Sequence, residues 1–163
     1  MSIWRRIHAT QITLIALLML GCGLALWMQE TRAGADRRSS ELMRGGDRLR
    51  LNVLQASASL RALLLDPTNK VEEHRREEAE AEALRGIEPM LVAYRDEAGL
   101  LIALRNLKEF IGRDTSAFHK SVLQALARDP AEALQLHRAR AAELQLRRDE
   151  LLRDLSGQID RFA

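Results

Sequence analysis

Between Ile7 and Gln29 the chain carries no Asp, Glu, Lys or Arg, and the stretch ITLIALLMLGCGLALWM within that run is almost wholly apolar. A helix rises about 1.5 Å per residue, so the run gives roughly 35 Å against a hydrocarbon core about 30 Å thick. The reading is a transmembrane helix over residues 7–29, preceded by a short cytoplasmic arm, residues 1–6. Trp4 and Trp27 fall near opposite ends of it, where an indole finds both a polar edge and an apolar body. A cleaved signal peptide also begins with arginines and an apolar run. This run is longer than the usual signal core, however, and no small-x-small site follows it before Glu30, so a retained anchor fits better. Met19-Leu20-Gly21-Cys22 faintly resembles a lipidation site, yet apolar residues continue beyond Cys22 where a lipoprotein turns polar. Arg5 and Arg6 on one side face Arg32, Arg37, Arg38 and Arg44 on the other, a count that argues against exporting the C-terminal side. Long folded domains translocate largely regardless of such charges, and the orientation taken is a single pass that exports the C-terminal side.

Residues 30–163 hold no second apolar run long enough to span. Leu, Ala, Arg and Glu dominate them, and aromatic residues make up only 4% of the whole chain, so long helices are favoured over any sheet with a packed face. A dinucleotide-binding α/β domain and a β-barrel are excluded on that ground. With Arg5 and Arg6 ahead of the run, the rest of the 25 basic residues meet 23 acidic ones, and the signs interleave along the sequence. No one-sign stripe forms, which argues against a nucleic-acid partner. Cys22 is the single cysteine, so neither an internal disulfide nor a thiolate metal site can form.

The periodicity expects all-α architecture with four helices, about 30–65, 70–97, 100–128 and 130–163. In the first, Leu42, Gly46, Leu49, Val53, Ala56, Leu60 and Leu63 recur at alternating spacings of four and three, a narrow helix-packing seam. Asp66-Pro67-Thr68-Asn69 ends it, with Asn69 and Glu72 placed as a capping box. The second helix is expected to bury Leu84, Ile87, Leu91 and Tyr94, with a kink or short break near Gly86 and Pro89. Its run VEEHRREEAEAEA reads as a solvated face of Glu–Arg pairs. Leu100, Leu104, Leu107, Ile111, Phe118, Val122 and Leu126 line the third. Asp129-Pro130-Ala131-Glu132 starts the fourth, with Asp as cap, Pro in the first turn and Glu reaching back. Leu134, His137, Ala141, Leu144, Leu151, Leu155, Ile159 and Phe162 continue its seam. Four single-striped helices joined by short turns bury their stripes together, as an antiparallel up-down-up-down four-helix bundle running on from the transmembrane helix. Gly34 and Gly45-Gly46 are read either as points of close helix packing or as a loosened junction.

No Gly-rich phosphate loop, activated Ser or Cys, or strand-borne acid and base is present, so no enzyme activity and no cofactor is expected. His119 and His137 fall at similar height if the last two helices form a hairpin about Asp129. Two imidazoles without a third ligand make an incomplete metal shell, and a surface or hydrogen-bonded histidine is the expectation.

Several of these segments resemble one family. The basic arm and span leading into a long first helix, the Arg61-Ala62-Leu63-Leu64-Leu65-Asp66-Pro67-Thr68-Asn69 turn, the charged second helix and the Arg128-Asp129-Pro130-Ala131-Glu132-Ala133-Leu134 junction are similar to the four-helix-bundle sensor domains of methyl-accepting chemotaxis receptors and related bacterial transducers. The resemblance implies a membrane-anchored periplasmic ligand-sensing domain for chemotaxis-type signal transduction, homodimeric through its first helix or paired with full-length receptor relatives. In that family a second span, a linker and an output module follow the bundle, so a chain ending at Ala163 is expected to lack its output. The resemblance also places first-helix arginines near a small-molecule site. Arg61 is the first candidate, since a planar guanidinium grips a carboxylate through two hydrogen bonds, with Arg50, Asn52, Gln55 and Ser59 on the same helix as further polar contacts. Pairing of Arg61 with a glutamate of the second helix is the plain alternative for that residue. For the whole chain the alternative is a noncatalytic membrane-tethered helical scaffold or coiled-coil spacer.

Overall fold

A computed structural model describes the chain from Ile3 to Phe162, apart from the side chains of residues 3–16, 31–33 and 35. It is all-α, with no strand among the described residues: α1 is Ile3–Leu65, α2 Lys70–Ala93, α3 Ala98–Glu109, α4 Ser116–Leu126 and α5 Pro130–Phe162. A π turn, Phe110–Thr115, joins α3 to α4 without leaving right-handed helical dihedrals. The chain divides into two compact units, Met1–Ser40 and Glu41–Ala163.

In the first unit Leu17, Leu18, Leu20, Leu24, Leu26 and Trp27 are exposed along α1. Of the expected span, the side chains of Ile7–Ala16 lie outside the described residues, as do the arm and Trp4. Among the described residues no helix is long and apolar enough to cross a membrane.

The second unit forms because each helix carries one apolar stripe that only its neighbours cover. The α1 seam lies where its spacing places it: Leu42, Leu49, Val53, Ala56, Leu60 and Leu63 are all buried. Gly46 belongs to the same stripe for a steric reason. A Cβ there would stand 2.6 Å from the Ile159 Cδ1 methyl of α5, so the missing side chain leaves room for that methyl against α1. Asp66 organises the first turn by accepting from Thr68 N at 3.1 Å and Thr68 Oγ1 at 2.7 Å. Asn69 then caps α2 by accepting from Glu72 N at 3.2 Å. The expected box closes on one side only, because the Glu72 carboxylate turns to Ser59 and Arg75 instead.

The expectations for α2 need correction. The helix ends at Ala93 rather than 97, closed by Tyr94 N donating to Met90 O at 3.0 Å. It is unbroken through Gly86 and Pro89, because Pro89 sits on the exposed side, where the carbonyl it leaves unbonded is open to water. Its buried stripe is Ala79, Ala83, Ile87, Met90 and Tyr94, while Leu84 and Leu91 are only partly buried at the flank. Alanines at the contact line bring α2 close and rotate the larger leucines aside. The same effect operates at the start of α5, where Ala133 is buried and Leu134 is 39% exposed. The expected single helix over 100–128 is α3, the π turn and α4, from Ala98 to Leu126, and α5 begins at Pro130 as expected, with Asp129 accepting from Ala131 N at 2.8 Å.

Two apolar clusters make the core. One joins Leu49 and Val53 of α1, Ile87 of α2, Leu104 and Leu107 of α3, Phe110 and Ile111 of the π turn and Leu151 and Leu155 of α5. The other joins Leu60 and Leu63 of α1 to Phe118, Val122 and Leu126 of α4 and Ala133 and Ala141 of α5.

Candidate functional site

A cavity of about 30 Å³ lies where the two clusters meet. Val53, Phe110, Leu60, Phe118, Ala141 and Leu144 supply its apolar wall. Its polar lining comes from four elements: Ser57 and Arg61 of α1, Thr115 of the π turn, His119 of α4, and His137, Gln145 and Arg148 of α5. Two guanidinium groups and two imidazoles thus converge with no Asp or Glu in the lining. At roughly 10–15 Å³ for each water held, such a space takes about two water-sized groups.

The π turn contributes one apolar and one polar group to the lining, Phe110 and Thr115. It brings Ile111 and Thr115, four positions apart, to the interior, and leaves Asp114 outside beside Arg113, whose Nε donates to Asp114 Oδ1 at 3.0 Å. Thr115 is 8% exposed, and its Oγ1 is buried with no hydrogen-bond partner. A buried hydroxyl without a partner is uncommon in folded proteins, since burial removes water without replacing it.

Behind the cavity His119, 2% exposed, bonds through Nδ1 to Glu80 Oε1 on α2. The same carboxylate oxygen accepts from Arg76 Nη1 at 3.0 Å, and Arg76 Nη2 donates to Glu77 at 3.1 Å. Burial alone pushes the Glu80 carboxyl up, but the hydrogen bond and charge of His119, with Arg76, outweigh it and hold the group below the ordinary carboxylate value. This buried chain ties α4 to α2 and fixes the His119 ring. His137 responds differently. Its burial, followed by the positive charges of Arg61 and His119, lowers it from the ordinary histidine value, the response of a base in a cationic pocket. The Phe118 ring lies 5.9 Å from both the His119 and the His137 rings, centroid to centroid. Arg148 is 9% exposed, with Nε donating to Asp149 Oδ1 at 2.9 Å. Arg61 is exposed at the cavity's rim and makes no ion pair among the described residues, so the pairing with a second-helix glutamate is not formed.

Of the five residues expected at a ligand site, Arg61 alone lines this cavity. Ser59 is fully buried, donating to Glu72 Oε2 at 2.7 Å and accepting from Gln55 Nε2 at 3.1 Å, so Ser59 and Gln55 belong to the α1–α2 contact. Arg50 lines a separate groove beside Gly46, Ser156 and Asp160, and Asn52 is half-buried away from both. The structure therefore does not gather the five, because Arg50 and Arg61 fall on one face of α1, three turns apart, while Asn52, Gln55 and Ser59 fall on the opposite face. Comparison with protein-family models, curated proteins and solved structures finds no match for this chain.

His119 and His137 do share one wall, as the hairpin expectation required, but among the described residues no three His, Cys, Asp or Glu side chains converge to hold a metal ion. Thr115 and Arg148 escaped sequence reasoning. The signal for each was a gap of seven positions, twice the usual step, between Ile111 and Phe118 in the third seam and between Leu144 and Leu151 in the fourth. A second groove, between the π turn and α5, alternates Arg113, Arg140 and Arg147 with Asp114, Glu143 and Glu150, and offers a ligand no net sign.

Proposed function

We propose that this chain is the ligand-sensing part of a chemotaxis-type signal transducer: an antiparallel up-down-up-down four-helix bundle, noncatalytic, anchored in the bacterial inner membrane through residues 7–29 and placed in the periplasm. The observation that carries the reading is the cationic cavity walled by α1, the π turn, α4 and α5. A molecule held there touches the first and last helices together, and so biases their relative position by its differential affinity for two packings. The exposed apolar run Leu17–Trp27 supports the anchor. Met43, Leu51, Leu54 and Leu65 are exposed along α1 at helical spacing, on a face the chain itself leaves uncovered, which supports pairing of two copies through the first helix.

The full chain in detergent micelles, heated alone and with a panel of small acids, amines, sugars and amino acids, tests the reading. At least one compound is expected to raise the midpoint of the wild type and to lose most of that effect in Arg61→Ala. In membranes, Leu54→Cys in a Cys22→Ala background is expected to cross-link into dimers on oxidation, and Gln124→Cys is not. A chain that no compound stabilises and that stays monomeric would be a tethered helical scaffold, the reading favoured by the cavity's small volume.

A further inference from the structure

We infer that the first half of α5, residues 130–144, is a proton-released arm: a proton taken up by His137 frees it from α1 and α4, while the second half stays packed. The inference goes beyond the sensor reading above, because its input is acidity and no small molecule has to enter the cavity.

Packing makes the two halves of α5 unequal. Its buried residues are Ala133 and Ala141 in the first half, and Arg148, Leu151, Leu152, Leu155 and Ile159 in the second. Apolar burial stabilises in proportion to area, so two methyl groups with the partly buried Leu136 and Leu144 hold the arm less firmly than three leucines and an isoleucine hold the rest. A segment with few buried apolar contacts opens at the lowest cost and without the rest of the fold. Charge makes this weaker half sensitive to acid. His137 belongs to it and lines the small cavity. From α1 it meets Arg61, from α4 His119 and from later in α5 Arg148; the π turn presents Thr115, which carries no charge, and no Asp or Glu lines the space. The carboxylates behind these groups are already engaged, Glu80 of α2 with His119 and Arg76, and Asp149 with Arg148. Arg138 and Arg140, next along the helix, are exposed and add the same sign. A proton on His137 therefore sets a positive charge among positive charges with no partner. Burial first, then Arg61 and His119, lower His137 in the same direction. Space for about two water-sized groups hydrates an imidazolium poorly, whereas release of the arm carries His137 into bulk water. The closed arm thus prefers neutral His137, the released arm binds a proton at the ordinary value of 6.5, and release grows as pH falls below that value.

Distances between paired spin labels, measured by electron–electron resonance on the full chain in micelles, test the two halves separately. The labels sit in a Cys22→Ala background, and labelled chain is diluted with unlabelled chain so that only distances within one chain are read. Gln124→Cys with Gln135→Cys spans α4 and the arm, and Ile102→Cys with Ser156→Cys spans α3 and the second half, all four at exposed positions. Between pH 7.5 and 5.5 the first pair is expected to gain a longer distance, its ratio to the short one rising by up to about tenfold per pH unit because one proton is taken up. The second pair is expected to keep a single distance. His137→Gln, neutral throughout, is expected to hold the short distance at both pH values, and His137→Lys, charged throughout, to show the long one already at pH 7.5. An unchanged first pair overturns the arm. The same lengthening in His137→Gln overturns it too, because the proton then belongs to another group. Lengthening of both pairs together overturns it in favour of unfolding of the whole bundle. The sensor reading stands or falls separately, on the panel of compounds above.

Discussion

Replacing Ser59 by Ala separates a ligand contact from a structural one, because the hydroxyl lies at the α1–α2 contact and not in the cavity. Its Oγ donates to Glu72 Oε2 at 2.7 Å and accepts from Gln55 Nε2 at 3.1 Å. A hydrogen bond to a charged acceptor contributes about 1.5–3 kcal/mol, and the lower end applies, since the Glu72 side chain keeps 16% of its surface and its bond from Arg75 Nη1 at 2.7 Å. Exposed Gln55 turns to water at little cost, so Ser59→Ala is expected to lose about 1.5 kcal/mol. Glu72→Ala forfeits that same bond together with the half-exposed Arg75 pair and a favourable charge in the first turn of α2, about 2–2.5 kcal/mol in all. The cross-helix bond can be lost only once, so the double variant is expected to fall short of the sum by about 1.5 kcal/mol. Urea unfolding of the full chain in micelles, followed by circular dichroism with the slope checked for constancy, measures the cycle. A coupling below about 0.5 kcal/mol refutes the reasoning.

Two further outcomes are expected. Gly86→Ala, in an exposed stretch of α2 where an added Cβ meets nothing within 4 Å, should gain about 1 kcal/mol, whereas Gly46→Ala, 2.6 Å from Ile159 Cδ1, should give back that gain through overpacking; a higher urea midpoint for Gly46→Ala than for Gly86→Ala contradicts the packing argument. His137 is lowered from 6.5 in the fold, so the unfolded chain binds more protons below that value, and the stability owed to neutral His137 is complete above about 6.5 and lost as pH falls through the folded value. Melting of the wild type between pH 7.5 and 5.5 is accordingly expected to fall more steeply than melting of His137→Gln, and parallel curves would show that burial, Arg61 and His119 exert no net effect on the imidazole.

The all-helical class and two of the four seams were legible because leucine spacing reports directly on which face is covered. Leu42 through Leu63 in α1 and Leu100 through Leu126 in α3 to α4 are buried at every apolar position that the pattern selects. Alanine defeated the rest. A seam traced by size favours Leu84 and Leu134, while close approach of two backbones favours Ala83 and Ala133, and spacing alone does not distinguish a small residue at a contact from a small residue at the surface. Arg61 was legible as a chemical group, and Gln55 and Ser59 were not, since a polar residue on a helix reveals its partner only when the neighbouring helix is placed. Ser59 meets a glutamate thirteen positions away, across a turn.

The π turn links the legible part to the illegible part. Counting by helical steps from Leu104 and Leu107 to Ile111 leads next to position 114 or 115, and spacing alone does not choose between the Asp114 carboxylate and the Thr115 hydroxyl. The structure turns Thr115 and then His119 inward and leaves Asp114 outside with Arg113. A seam drawn through leucines passes over this stretch, because what it turns to the core is a threonine and a histidine rather than another aliphatic. A π turn forgoes regular helical hydrogen bonding and is frequent at functional sites, which favours a role for the cavity that it helps to wall.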